Sequence, residues 1–446
     1  MSLVDFSFQL NTIELFAGVG GFRLGLERVH GSPFRVTLSN QFEPARKVQH
    51  ASNVYRAQWN GDVHLNEDIA QVLASEAGRT AIRNAAPDVV VGGFPCQDYS
   101  VAKPLAQSHG IAGKKGVLWW SIAELLKQRL ADGAPVKYVV LENVDRLISS
   151  PANCRGRDFA MVQSTLYQLG YALEWRVINA ADYGFPQRRR RTFMLAYHES
   201  TEIFQNMKRA VGASSSSWFD GSILTRAFPA KLKDPLSAEA PALQVRNDPF
   251  NEQLFYTPLS NGKSRFENAG VMLDGEVRTA RATAPDLDDY TEFTGYTQPV
   301  TLGDVVRKTG AVPTSFYVPD QAVAQWVACK SAKRVPRTKA GFDYEYAEGA
   351  MAFPDLLDRP ARTIITSEGG TTPSRTKHAI EDSSGRLRRL TPDELEELNG
   401  FPRGFTADIG VSDVARAMLM GNALVVGLVT RIGAALFHAH VALRKQ

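Results

Sequence analysis

Between residues 12 and 196 short apolar runs alternate with longer amphipathic ones, a rhythm that few folds can accommodate. The runs Ile13–Phe16, Val36–Ser39, Asp88–Val91, Tyr138–Leu141, Leu173–Ile178 and Thr192–Ala196 read as strands. Between them, helices are expected to start near Gly21, Pro44, Asn66, Leu118 and Asp158. Strands alternating with helices imply βαβ units, hence an α/β fold on a mostly parallel, doubly wound sheet. Such sheets bind ligands at the carboxyl ends of their strands. A chain of 446 residues is long for one core, so a second, smaller domain of mixed structure is expected. The rhythm fades after His198, and Ser214–Ser217 reads as a flexible entry to that domain. Regular signals return at Thr391-Pro392-Asp393-Glu394, with Thr as N-cap, Pro at the first helical position and Glu at the third. A final apolar helix, Ala423–Ala442, is expected to pack back onto the first domain.

Composition narrows the function classes. A hydrophobic share of 44% and a charged share of 22% suit a soluble globular protein. No apolar run approaches the ~20 residues of a membrane span, and the first residues lack the basic-then-apolar pattern of an export signal. Cys96, Cys154 and Cys329 lie far apart, which argues against a zinc site or disulfide framework and fits a reducing cytoplasm. No metal site is expected. The net charge of +4 is mildly basic. Basic residues gather at Arg188–Arg191, Lys330–Lys339 and Arg386–Arg389, each either a solvated face or a contact for an anionic partner.

Four constellations carry chemistry. Glu14-Leu15-Phe16-Ala17-Gly18-Val19-Gly20-Gly21 is a strand running into a glycine-rich turn and a helix, so backbone amides can approach a ligand. As a dinucleotide fingerprint it fails, because Arg23 stands at the third glycine; a plain tight turn is the alternative. Gly92-Gly93-Phe94-Pro95-Cys96-Gln97 follows a strand. A lone cysteine is often a small buried hydrophobe, but one in a polar Gly/Pro loop suits a working thiol. Leu141-Glu142-Asn143-Val144 ends a strand with an acid, which is functional or a structural ion pair. Tyr183-Gly184-Phe185-Pro186-Gln187 leads into four arginines that core packing cannot readily satisfy.

Together these resemble the DNA cytosine-C5 methyltransferase family. Phe16–Gly21 is similar to its F-x-G-x-G-G cofactor loop, Pro95–Gln97 to its P-C-Q nucleophile loop and Glu142–Val144 to its E-N-V element. Gln187, Arg189 and Arg191 match Q-x-R-x-R; Arg389–Pro392 with Glu394, Gly400–Pro402 and Gly421–Leu424 match later elements. The resemblance covers roughly residues 10 to 197 and 360 to 435 and leaves the middle unmatched.

The resemblance implies a doubly wound, S-adenosylmethionine (SAM)-dependent methyltransferase domain in residues 1–199, a target-recognition domain in 200–385, a hinge in 386–407 and a return segment in 408–446. It implies Cys96 as nucleophile, Glu142 and Arg191 at the cytosine ring, and Arg189 in support of the loop or a phosphate. The cofactor contacts it implies are Phe16, Ala17, Gly18, Gly20, Gly21, Phe42, Asp68, Ile69, Pro95, Leu118, Asn422 and Ala423. One departure stands out. Where the family commonly places a ribose-binding glutamate, an ungapped comparison puts Gln41, with Glu43 as the alternative. The implied partner is double-stranded DNA, with a cognate restriction endonuclease acting separately on the same site. A cytoplasmic monomer with no membrane contact is expected. Three rivals remain at this point: a tRNA cytosine methyltransferase, a non-catalytic DNA-binding protein on this scaffold, and an NAD-dependent oxidoreductase.

Overall fold

All six apolar runs form strands. They are β1 (Leu10–Leu15), β2 (Phe34–Asn40), β4 (Val89–Gly92), β5 (Tyr138–Val144), β6 (Tyr171–Asn179) and β7 (Arg190–His198), with a two-residue β3 (His64–Leu65) at the edge. The computed structural model describes residues 9–94, 117–213, 217–234, 243–246, 256–285, 299–339, 342–407 and 410–444. Pro95 and Cys96 therefore lie outside the described residues.

Strands β3, β2, β1, β4 and β5 pair in parallel in that order, and β7 then inserts antiparallel between β5 and β6. The parallel half is the expected one. Beyond it the sheet continues antiparallel. Apart from a short pair, β8 (Lys231–Leu232) with β12 (Ala282–Thr283), the strands β9 (Leu243–Gln244), β10 (Ala269–Leu273) and β11 (Glu276–Ala280) extend it to ten strands. The chain after residue 200 thus stays on the first sheet rather than entering a separate body at once. β10 is buried at all five positions, so it shows no in–out alternation, and Gly270 lets it pass over the Trp175 ring.

Helices cover both faces. One face carries α1 (Gly21–Glu27), while the other takes α3 (Ile69–Ala74), α4 (Glu76–Ala85), α5 (Val117–Ala131) and α6 (Arg157–Gln168). The helix expected from Pro44 is instead α2 (His50–Gln58). Gln49 explains the delay: its Oε1 accepts from the Glu43 amide at 2.8 Å, and its Nε2 donates to the Glu43 and Arg46 carbonyls, both at 2.9 Å. Residues 43–49 are thereby closed into a loop.

The α1 face is completed by α7 (Glu202–Ala213), α8 (Ser217–Asp220), α9 (Ile223–Ala227) and the last helix, which runs Val426–Arg444 rather than from Ala423. That helix lies in a segment apolar and long enough to span a membrane by composition. Its Leu428, Val429, Ile432, Leu436 and Phe437 are instead buried against the sheet, which accounts for the apolarity.

A further core joins α10 (Leu302–Val306), α12 (Pro392–Leu398) and α13 (Asp413–Asn422) to Val19 and α2, while α11 (Asp320–Lys330) sits on a small satellite cluster. The capping box at Thr391 forms as the residue types require. Glu394, its third helical residue, is also gripped end-on by Arg388, with Nη2···Oε1 at 2.7 Å and Nη1···Oε2 at 2.9 Å. Both side chains are buried.

Removing one partner of a buried ion pair strands the other charge. Glu394→Ala is therefore expected to lower stability by ~3–5 kcal/mol in denaturant or thermal unfolding. A loss under about 1 kcal/mol, the size of an exposed pair, would show that Arg388 finds water instead.

Candidate active site

The parallel strands end in register. Leu15 lies beside Asn40 and Gly92, Asn40 beside Leu65, and Gly92 beside Leu141. This edge brings together the glycine-rich turn, Gln41 and Phe42, the Gly93–Phe94 entry to the cysteine loop, and Glu142. The sheet order turns outward from β1 in both directions, so the edge is also the topological switch point where doubly wound sheets bind ligands.

The turn is built for close approach. Phe16, Gly18 and Gly20 have φ of 54°, 56° and 88°. A Cβ on Gly20 would strike the Trp59 ring at 2.2 Å, whereas one on Gly18 would meet nothing within 4 Å. Gly18 thus faces open space, and its amide donates to Gln41 Oε1 at 2.8 Å. Ala17 is tied to the Asn40 carbonyl at 3.0 Å. Phe42 is 37% exposed beside the buried Gln41. Asp68 caps α3 by accepting from the Ala70 amide at 2.8 Å, while Ile69 is buried in the core. Phe16 and Leu118 pack at the margin of that same core.

On the other side of the switch point, Glu142 and Arg191 form an ion pair, Oε1···Nε 2.8 Å, with both side chains mostly buried. The pair follows from register: Glu142 lies opposite Phe193, and Arg191, two residues before Phe193, alternates to the same face. A Cβ on Gly93 would stand 3.2 Å from Glu142 Oε2, so that glycine lets the loop run past the carboxylate. Phe94, two residues before Cys96, is held by Asn143 Nδ2 on its carbonyl at 3.3 Å and by its ring against Trp119.

Arg189 turns inward instead. It is buried, and donates to the carbonyls of Ile364 at 3.2 Å and Gly421 at 3.1 Å. A phosphate contact is thereby closed to it, and loop support is what its bonds provide. Asn422 is exposed at the end of α13, Ala423 caps that helix, and Leu424 meets the position of a Gly21 Cβ at 3.1 Å. The return segment therefore abuts the glycine-rich turn.

A model of the family described as C-5 cytosine-specific DNA methylase matches residues 10–258 and 281–438. The chain belongs to that family. It is 40% identical over 426 residues to Type II methyltransferase M.Sau3AI of Staphylococcus aureus, covering 95% of both chains. It is 30% identical over 194 residues to Type II methyltransferase M.HhaI of Haemophilus parahaemolyticus, covering 44% of this chain and 51% of that one. The crystal structure of S. pombe Dnmt2 methyltransferase shares the fold, with a TM-score of 0.56 at 14% identity, over 97% of this chain and 99% of that one. The chain is thus a DNA cytosine-C5 methyltransferase, and the oxidoreductase reading falls.

One titratable group at this site escaped the sequence reading. Glu14 is the penultimate residue of β1, behind the glycine-rich turn of the methylase, and is completely buried. It accepts from Tyr55 Oη at 2.9 Å and from the Arg23 amide at 3.3 Å. Burial pushes its carboxyl up to about 7, against the smaller opposing pull of those bonds. The signal was present, because an acid closing an apolar strand is the same pattern that singled out Glu142.

Arg23 itself reaches Glu27 at 2.7 Å and Asp62 at 2.5 Å and stacks over Trp59 at 4.6 Å. It braces the turn from behind.

Because the folded Glu14 holds its proton more tightly than the unfolded one, its contribution to stability is complete below about pH 4.5 and lost as pH rises through about 7. Thermal unfolding at pH 5.5 and pH 8 should show roughly 2 kcal/mol of this loss in the wild type, at 1.36 kcal/mol per unit, because part of the window lies below pH 5.5. Glu14→Gln, which keeps an acceptor and cannot ionise, should flatten the profile. An unchanged profile would mean that Glu14 is ionised throughout.

Proposed function

We propose that the chain methylates C5 of a flipped-out cytosine in a specific duplex sequence, with SAM as methyl donor and Cys96 as covalent nucleophile. The observation that carries this reading is the Glu142–Arg191 pair, held at the strand-end edge against the Gly93–Phe94 entry to the cysteine loop. Cytosine C5 is a poor nucleophile. The Cys96 thiolate adds to C6, and the displaced electron pair makes C5 enamine-like. Glu142 faces N3 and supplies a proton or hydrogen bond as charge gathers there, and Arg191 stabilises O2. Once C5 has taken up the methyl group, a base removes the C5 proton, and β-elimination releases Cys96.

SAM supplies an electrophilic methyl group, and the residues at the switch point fit it. The Gly18 face is open, backbone amides line the turn, Phe42 offers an exposed ring, and Gln41 is at hand for a ribose. The target base must leave the stack to reach this edge, at a cost of a few kcal/mol. Strands β9–β11 belong to the catalytic sheet, so we assign recognition to a smaller unit within residues 299–385. That unit favours duplex DNA over tRNA as substrate. We place the enzyme in the cytoplasm as a monomer, in a restriction–modification setting with a separate endonuclease; the M.Sau3AI relative carries the type II name.

A duplex with 5-fluorocytosine at the target should trap the wild type as a denaturant-resistant adduct, because fluorine cannot leave as a proton does. Cys96→Ala should bind the same duplex and form no adduct. Substantial methylation by Cys96→Ala would refute the covalent route.

Gln41 Oε1 already accepts from Gly18, so its amide orders the turn beside which we assign the ribose. Glu43 belongs to the loop closed by Gln49. SAM affinity should fall in Gln41→Ala, hold or rise in Gln41→Glu, where a carboxylate gives a charge-assisted bond, and change little in Glu43→Ala. A loss confined to Glu43→Ala reverses the assignment.

A further inference from the structure

The basic run Lys330–Lys339 divides in two. Lys330 is 1% exposed, donates to the Lys377 carbonyl, and lies 3.7 Å from Asp355. It is an internal anchor. From Lys333 the chain forms a two-stranded ribbon, β13 (Lys333–Lys339) with β14 (Phe342–Glu348), paired from Lys333 opposite Glu348 to Lys339 opposite Phe342. Among the described residues no third strand joins it.

Its two faces differ in charge. Opposed residues share a face and alternate along each strand. One face bears Arg334, Asp343 and Glu345; Arg334 meets Glu345 at 3.1 Å, and Thr338 donates to Asp343. The other takes Lys333, Val335, Tyr344 and Tyr346 by register. Its one acid, Glu348, is paired with Arg375 at 3.2 Å. Val335, Tyr344 and Tyr346 on this face are 41%, 44% and 37% exposed.

The root of the ribbon is fixed. Arg375 donates to the Ser331 carbonyl at 2.7 Å and to the Gly349 carbonyl, clasping the chain just outside both strands. The Met351 amide bonds the Lys330 carbonyl at 2.8 Å.

We propose that the face carrying Lys333, Val335, Tyr344 and Tyr346 lies in the major groove of the substrate duplex and determines which site is methylated. This rests on the functional reading above. A two-stranded ribbon fits that groove, about 12 Å wide. Lys333 on the inner face meets a flanking phosphate, while tyrosines reach base edges with a ring and a hydroxyl. The opposite face, with more acids than bases, is repelled by phosphate and turns to solvent. That asymmetry selects duplex DNA over an acid-poor protein partner.

The test uses the full chain and plasmid DNA whose methylated site has been located by bisulfite sequencing. Tyr344→Ala/Tyr346→Ala should reduce kcat/KM for the cognate duplex relative to duplexes with one base pair changed by about tenfold or more. Lys333→Glu should weaken binding to all duplexes and flatten the salt slope by about 0.9 for the lost contact, with the site unchanged. SAM affinity and melting temperature should stay at wild-type values in both, because the ribbon shares no core with the sheet. Arg334→Gln, on the other face, should alter neither discrimination nor slope. If the wild type methylates a defined site and the tyrosine variant keeps its discrimination, the inference alone fails. A wild type that methylates no duplex overturns the functional reading and the inference with it.

Discussion

The pairing of β5 with β7 is the constraint on which the site depends. Glu142 and Arg191 meet only because Glu142 lies opposite Phe193 and Val144 opposite Arg191. A slip of one residue would send Arg191 to the other face and bring Arg190 in its place. The apolar core forbids that slip. Tyr138, Val140, Phe193, Leu195 and Tyr197 belong to one core face, and Val139, Leu141, Met194 and Ala196 to the other, so any shift misplaces both sets. A charge pair of modest intrinsic worth is thus held in place by burial that has no part in the chemistry.

The same logic explains what could be read from the chain. Strands β1, β2, β4, β5, β6 and β7 were legible because apolar runs bounded by turns mark them, and the loops that follow β1 and β4 and the end of β5 carry the family's elements. Strand β10 was not, since burial on both faces erases alternation. The start of α2 was misread because a side chain, Gln49, competes with the helix for the backbone of residues 43–46. The basic runs misled most. Arg388 binds Glu394 six residues on, Arg389 reaches the carbonyls of Ser315 and Gly369, and Lys330 reaches Lys377. No local pattern separates the internal Arg389 and Lys330 from solvated basic residues, because their partners are remote in sequence.

Remote partners also explain why the chain must return to its first sheet after residue 407. Gln187 donates to Asn399 Oδ1 at 2.7 Å and to the Leu398 carbonyl at 3.3 Å, and accepts from the Ile364 amide at 3.1 Å. Asn399 in turn donates to the Met420 carbonyl at 2.9 Å, one residue before the Gly421 carbonyl that receives Arg189. The loop preceding Arg191 and the segment abutting the glycine-rich turn therefore share one buried hub. The side proposed to contact the base and the side proposed to hold the donor are registered to each other through amides and carbonyls. Buried amide networks of this kind impose a single arrangement, because any displacement leaves further polar groups unpaired in a low dielectric. Glutamine and asparagine suit the task, since neither titrates. The spacing between the two halves of the site then stays constant across the pH range in which Glu14, on the donor side alone, exchanges its proton.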